Sequence, residues 1–348
     1  MVPALAVADA LRADGVDVVF VGGERAEAAA VPAAGYELHQ LKVEGISRRN
    51  PFRAARAIVR AGLAARRARR LLRELAPDAV MGGGGYVAGP VGLAAVRERI
   101  PLVLTEADSH LGLTNRLLAP FARRVCLAFP IPERTGERFR VTGRPIFPPA
   151  GDRRAARARF SLGPKDVCVL VFGGSLGARS INEAALKAFA DVDFRVLHAA
   201  GERDYADLAP RVPGEHYDLQ PYIDRFGEAL LASDLVIARA GGSVFEIAAA
   251  GRPAVLIPYP RATGDHQTAN ARWMADGGAA VVIADDELLP MRLRETVLEL
   301  LDDPERLADM REASEALARP AAARAVAAQV LAAADGAPRS AAPRPAAG

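Results

Sequence analysis

VLVFGGSLGARSINEA, residues 169–184, is the stretch on which the fold turns. An apolar run ends in Gly173, Gly174, Ser175 and Gly177, and a helical stretch follows to about Phe189. Glycines let backbone approach an anion closely, and the first N–H groups of a helix have no intrahelical acceptor. The stretch therefore reads as a diphosphate cradle on Gly173, Gly174 and Gly177. Any one of these glycines suits a tight strand-to-helix turn, but three with a serine among them exceed what a turn needs. The spacing matches neither a Walker loop nor GxGxxG, which argues against a plain Rossmann cofactor.

Working outward, short apolar runs alternate with Ala/Leu/Arg-rich helical stretches along the chain. VDVVFVGG, DAVMGG, PLVLTE and RVCLAF lie in the first half, DVCVLVFGG, FRVLHAAG, SDLVIARAGG and PAVLIPYP in the second. This alternation predicts α/β architecture with doubly wound parallel sheets. A chain of 348 residues is long for one core, and the proline-rich VTGRPIFPPAGD (141–152) reads as a linker. We expect domains at 1–145 and 146–334, from which the last helix can cross back to the first domain, and a disordered tail at 335–348. A cleft between two such domains is the natural place for a site. Pro3 and ALAVADALRADG read as a helix at the very start, where a doubly wound domain normally opens with a strand and its loop. The reading favours loss of that first strand, as a miscalled start site would produce.

Bulk charge identifies no partner, because 45 basic residues nearly cancel 42 acidic ones. Cys126 and Cys168 lie in apolar strand-like runs, as buried free thiols do, and neither a disulfide scaffold nor a zinc site is indicated. No apolar stretch reaches the ~18 residues of a spanning helix, and no signal peptide pattern is seen. The charge is unevenly distributed, however. A helix read from Asn50 to Leu75 carries Arg53, Arg56, Arg60, Arg67 and Arg70 on one face, with Phe52, Val59 and Leu63 on another. Such a helix suits an anionic membrane surface, while the lack of interleaved aromatics argues against nucleic acid. The expected location is peripheral, at the cytoplasmic face of the cell membrane.

Further motifs sit at strand ends. In ARAGGSVFEIAAAG, Gly241, Gly242 and Ser243 open a helix, and Glu246 falls on its first turn, where a carboxylate can accept from ribose hydroxyls. In ATGDHQTANARWM, Asp265, His266, Gln267 and Asn270 can hold sugar hydroxyls. Gly82, Gly83, Gly84 and Gly85 follow the strand DAVM and offer a second anion loop. Glu106, Asp108 and His110 cluster in TEADSH at a strand's carboxyl end, where such sheets bind ligands. Asp191 and Asp193 form a DxD, but it precedes its strand and lies at the amino end of the sheet. We expect no metal and no cofactor.

GGSLGA, RAGGSVFEIAAAG and DHQTANA, in this order and spacing, resemble the donor half of the MurG family of glycosyltransferases. MVPALAVADAL, GGGGYVAGPVGLAA, PLVLTEADSHLGLTNRLLAPFARRVCLAF and VTGRP extend the resemblance over nearly the whole chain. It implies a GT-B fold and inverting, metal-independent transfer of N-acetylglucosamine from its UDP carrier to a polyprenyl-diphosphate-linked muramoyl pentapeptide, in peptidoglycan synthesis. It also implies donor contacts at Ser175, at Ile223 against the base, at Gly241, Gly242, Ser243, Val244, Phe245 and Glu246, and at Gln267. Asp108 stands where the family has asparagine. Phe147 stands where it has an arginine, whose charge Arg144 can offer instead, and the loop before Glu246 is one residue short. The family's first Gly-rich loop and its histidine, the leading general base, are expected immediately before Val2 and are absent. That leaves Glu106, Asp108 and His110 as base candidates. Two alternatives accompany this reading: a UDP-sugar 2-epimerase-like enzyme, and an inactive nucleotide-sugar-binding protein.

Overall fold

The structure, a computed structural model, describes residues 1–24, 26–41, 51–174 and 177–336, and at 26, 51–61 and 263 it describes the backbone alone. The chain divides into two compact units, Met1–Ile146 with the segment from Ala321 onward, and Phe147–Pro320.

The first unit runs α1 (Val2–Ala13), β1 (Val19–Gly22), α2 (Ala26–Ala33), β2 (Glu37–Gln40), α3 (Pro51–Leu75), β3 (Val80–Gly82), α4 (Gly85–Arg97), β4 (Leu102–Glu106), α5 (Leu113–Leu118), β5 (Arg124–Leu127) and β6 (Phe139–Val141). All pairings are parallel: β1 with β2, and β3-β4-β5-β6 in that order. Among the described residues no ladder joins β1 to β3. Successive strand side chains point to opposite faces. Leu102, Leu104, Val125 and Leu127 accordingly pack on α3 and α4, while Val103 and Cys126 meet Val7 and Leu11 of α1 on the other side.

The sequence reading did not name the buried face of α3. Ala64, Ala65, Ala68 and Leu72 turn inward, whereas Leu63 is 52% exposed, and Arg67 and Arg70 are exposed too. Small alanines let α3 lie close on α4. The side chains of Phe52, Arg53, Arg56 and Arg60, and Asn50 entirely, lie outside the described residues.

The second unit runs α6 (Arg153–Arg159), β7 (Cys168–Phe172), α7 (Arg179–Ala188), β8 (Arg195–Ala199), α8 (Glu202–Leu208), β9 (Tyr217–Gln220), α9 (Phe226–Ala232), β10 (Leu235–Ala238), α10 (Val244–Ala249), β11 (Ala254–Leu256), α11 (His266–Asp276), β12 (Ala280–Val282), α12 (Pro290–Leu301) and α13 (Pro304–Leu317). Its parallel sheet has the order β12-β11-β10-β7-β8-β9. Every residue of β7 and β10 is buried, as expected of central parallel strands covered on both faces. Strand order reverses between β7 and β10, which makes their junction the topological switch point. The final helix, α14 (Ala322–Asp335), leaves this unit and buries Val326, Ala327, Val330 and Ala333 against Val7, Leu11, Val103 and Cys126 of the first.

Both cysteines are buried and free, and burial pushes each thiol up to about 12. No helix is long and apolar enough to cross a membrane among the described residues.

Candidate functional site

The register of the second sheet sets the site. Leu235 to Ala238 pair with Val169 to Phe172, and Val236 to Ala238 pair with Ala254 to Leu256. Three neighbouring strands therefore end at one level, at Phe172, Ala238 and Leu256, and their loops leave side by side. This is the carboxyl edge at the switch point, where open α/β sheets bind ligands.

The loop after β7 tolerates nothing but glycine at two positions. A Cβ on Gly173 would lie 2.2 Å from the Ala178 nitrogen, and one on Gly177 would lie 2.1 Å from the Ala200 carbonyl oxygen. Gly177 also has φ +73, and its N–H donates to Gly174 O at 2.9 Å, closing the turn. The loop is thus pressed onto the end of β8 before α7 begins at Arg179. Ser175, expected to contact the donor, lies outside the described residues.

The loop after β10 begins with Arg239, which the sequence reading passed over. It is 8% exposed, donates to the carbonyls of Ile257 and Pro258 at 3.2 and 3.3 Å, and donates to Ser180 Oγ at 2.7 Å. Asp285, beyond β12, pairs with its Nη1 at 2.6 Å and accepts from Ser180 Oγ at 2.8 Å. One guanidinium thereby joins the ends of four strands. Asn270 Nδ2 adds a tie, donating to Ala240 O at 2.9 Å and Gly241 O at 3.3 Å, and Gln267 Oε1 accepts from Tyr259 N–H at 2.9 Å. The Asn270 Oδ1 atom is buried without a hydrogen-bond partner, an acceptor left over at the site.

Gly241, Gly242 and Ser243 are half-buried, and Glu246 sits half-buried on the first turn of α10, as the motif requires. The Val244 and Phe245 side chains are buried, Phe245 against Trp273 at 5.0 Å between ring centroids. Their N–H groups turn back at 3.3 Å to Gly241 O and Gly242 O. Ile223 is 4% exposed. It borders a depression of about 590 Å³ beside β9, with Arg195, Asp218, Gln220 and Asp224.

In the first unit, Gly82 ends β3, and Gly84 and Gly85, at φ +79 and +81, turn the chain into α4. Next to this loop stands a carboxylate with its acceptors taken. Ala107 and Asp108 N–H donate to Glu106 Oε1 at 3.0 and 3.2 Å, and Gly112 N–H and Asn115 Nδ2 donate to Oε2 at 2.8 and 2.9 Å. With Glu106 only 8% exposed, these bonds make it the organiser of the 107–112 loop rather than a free base, a correction to its place in the trio. Asp108 is half-buried and His110 exposed on that loop. Arg144 belongs to this unit, and partial desolvation together with the Arg144 charge lowers the pKa of the Met1 ammonium. Asp191 and Asp193 are exposed ahead of β8, at the amino end.

A comparison with known families matches residues 1–127 to the glycosyltransferase family 28 N-terminal domain and 168–327 to its C-terminal domain. The chain belongs to glycosyltransferase family 28. The family's UDP-N-acetylglucosamine–N-acetylmuramyl-(pentapeptide) pyrophosphoryl-undecaprenol N-acetylglucosamine transferase from Moorella thermoacetica is 41% identical, over 91% of each chain. The crystal structure of Acinetobacter baumannii MurG is 30% identical over 95% of each chain, with a TM-score of 0.78. The fold is therefore GT-B, two Rossmann-like domains, and the resemblance to MurG is a family relationship. A UDP-GlcNAc 2-epimerase from Neisseria meningitidis superposes with a TM-score of 0.67 at 13% identity, over 95% of this chain and 96% of the other, and shares the fold alone.

The structure sets the glycine loops, Glu246 and Gln267 at or near this sheet edge, together with Arg239, Ser180 and Asp285, which the sequence reading did not name. Only Arg239 carried a signal: an arginine directly after an apolar strand is seldom buried without a task.

Proposed function

We propose that the chain transfers N-acetylglucosamine from UDP-N-acetylglucosamine to the polyprenyl-diphosphate-linked muramoyl pentapeptide, with inversion. The observation that carries this is the alignment of three loops at one sheet edge, in a chain 41% identical over 91% of its length to a transferase of that name. The donor diphosphate lies against the loop of Gly173, Gly174 and Gly177, whose backbone N–H groups and helix terminus take up charge as UDP departs. Glu246 accepts from the ribose hydroxyls, and Gln267 and Asn270 face the sugar. Asp108 and His110 are the candidates to take the acceptor hydroxyl proton, and the Gly82 to Gly85 loop receives the acceptor diphosphate.

The acceptor is lipid-linked, and the first unit carries a surface suited to it. Tyr86 and Leu93 on α4, Leu113 and Leu117 on α5, and Phe121 are 39–64% exposed, Arg97 and Arg116 are exposed on the same two helices, and Arg67 and Arg70 are exposed on α3. Apolar side chains among cations fit an anionic bilayer surface, which supports a peripheral place at the cytoplasmic face of the membrane.

The test is transfer of labelled sugar from UDP-N-acetylglucosamine to a polyprenyl-linked muramoyl acceptor, with the anomeric configuration of the product read by NMR. A β-linked product supports the proposal. Donor turnover to a 2-epimer, or binding of UDP with no transfer by this chain or an N-terminally extended one, would sink it.

A further inference from the structure

Beneath the β7 loop, at the heart of the second unit, lies a buried polar chain for which the reaction itself has no use. His198 on β8 and Asn182 on α7 are wholly buried, and Tyr217 on β9 and Asp204 on α8 are 3% exposed. His198 Nδ1 lies 2.7 Å from the Tyr217 hydroxyl, and its Nε2 lies 3.0 Å from Asn182 Oδ1. Asn182 Nδ2 donates to Ala200 O at 2.9 Å and to Asp204 Oδ2 at 3.2 Å. Arg203 holds Asp204 from outside through two hydrogen bonds.

The partners fix every proton. A carbonyl and a carboxylate only accept, so the Asn182 atom facing them is the nitrogen, and its oxygen faces His198. That oxygen requires a hydrogen on Nε2. Burial holds the ring far below its usual range, at about 3, so it is neutral and Nδ1 bears a lone pair. The Tyr217 hydroxyl donates to that lone pair. One directional chain results, from Tyr217 through His198 and Asn182 to the Ala200 carbonyl.

Ala200 is where this chain meets the ligand loop, since its carbonyl oxygen is the atom a Gly177 Cβ would strike. An apolar cluster of the same volume would fill the core as well, without specifying where that carbonyl sits. We infer that His198 is a positioning residue: through Asn182 it fixes the Ala200 carbonyl, and so sets the position of Gly177, where the glycine loop returns to α7, against the nucleotide's diphosphate. The inference rests on the proposed reading of that loop as a diphosphate cradle. Tyr217 serves the same end by holding the tautomer.

Three variants of the full chain test it, with binding of UDP and of uridine measured by calorimetric titration and competition. His198→Leu removes donor and acceptor together, whereas His198→Gln keeps one of each. Misplaced N–H groups weaken phosphate contacts and spare the base and ribose, so His198→Leu should weaken UDP roughly tenfold or more and uridine by less than about twofold. In transfer assays the donor KM should rise with kcat nearly unchanged, and His198→Gln should restore UDP affinity to within about threefold of the unaltered chain. Equal weakening of both ligands, or unchanged UDP affinity in a folded His198→Leu protein, overturns the inference. If that variant does not fold, Tyr217→Phe, which deletes one hydroxyl, should weaken UDP a few-fold with uridine unchanged, and no effect on UDP overturns it. Failure of the unaltered chain to bind UDP instead strikes the reading of the loop itself.

Discussion

Loops at the strand ends of the two units are held in place by opposite means. In the second unit the loops after β7, β10 and β11 are tied laterally: Arg239 spans strand ends with Ser180 and Asp285, and Asn270 grips Ala240 and Gly241. In the first unit a single carboxylate, Glu106, gathers the N–H groups of its own loop, and Asn115 ties it to Thr105 O at 2.9 Å. A cationic clasp collects carbonyls and an anionic clasp collects N–H groups. Arg239 takes up the carbonyls of Ile257 and Pro258, while Glu106 takes up the N–H groups of Ala107, Asp108 and Gly112 and leaves the His110 side chain exposed. Each unit nonetheless keeps one buried asparagine oxygen without a partner, Asn115 Oδ1 and Asn270 Oδ1.

The largest break in this comparison should come from Gly177→Ala. The added Cβ meets backbone, which cannot swing away, at a residue with φ +73, so displacement of the loop is unavoidable. We expect a cost of about 3 kcal/mol and UDP binding reduced roughly a hundredfold or more. Affinity within about threefold of the unaltered chain would mean that the loop does not face the nucleotide. Glu106→Ala probes the other clasp. It strands buried N–H donors at a cost of about 2–3 kcal/mol, and it should lower kcat while leaving UDP affinity within about twofold. A matching loss of UDP affinity would erase the proposed division of labour between units.

How much of this could be read from residues alone follows the same divide. β7, β10 and β4 declared themselves through apolar runs, and the glycines after β7 were legible as a cluster, though close packing on Ala178 and Ala200 is itself a reason for Gly173 and Gly177. β2, β6, β9 and β12 were not, being runs of three or four residues such as ELHQ and YDLQ with little alternation to detect. Glu106 was noticed for the wrong task, because a sequence displays a carboxylate but not the four hydrogen bonds that occupy it. Val244 and Phe245 were placed by motif, and only burial shows that packing takes their side chains. Arg239, His198 and Asn182 act across strands 16 to 59 residues apart, a separation at which no local pattern marks a partner.

A smaller effect separates the core of the second unit from its surface. The buried His198 ring stays neutral down to about pH 3, while in the unfolded chain it protonates near 6.5. Between those values only the unfolded state takes up the proton, so stability is whole above pH 6.5 and falls as pH drops, by about 2 kcal/mol at pH 5. Trp273 is the chain's only tryptophan and stacks near Phe245, so urea unfolding of this unit can be followed by its fluorescence. The midpoint should decline from pH 7 to 5 in the unaltered chain and decline less in His198→Gln. Equal slopes would mean that carboxylates such as Asp204, which Arg203 holds below its usual range, account for the whole acid response.

The mildest prediction concerns the surface of the first unit proposed to meet the membrane, where the two units should differ most in kind. Phe121 is 64% exposed just beyond α5, and Leu117 is 63% exposed one turn earlier. Partial burial of one aromatic ring in the headgroup region is worth about 1 kcal/mol, less than its full transfer, because the ring goes only part-way in. Phe121→Ser should therefore reduce partitioning onto vesicles of anionic lipid roughly three- to fivefold, with UDP affinity unchanged. Raising salt should weaken the remaining binding of both forms, since exposed Arg67, Arg70, Arg97 and Arg116 act across water, where a Debye length is about 10 Å at 0.1 M. If the serine variant partitions as well as the unaltered chain, the apolar side chains are not inserted and charge alone holds the first unit to the lipid. If partitioning and UDP affinity fall together, the two units do not work as separately as their clasps imply.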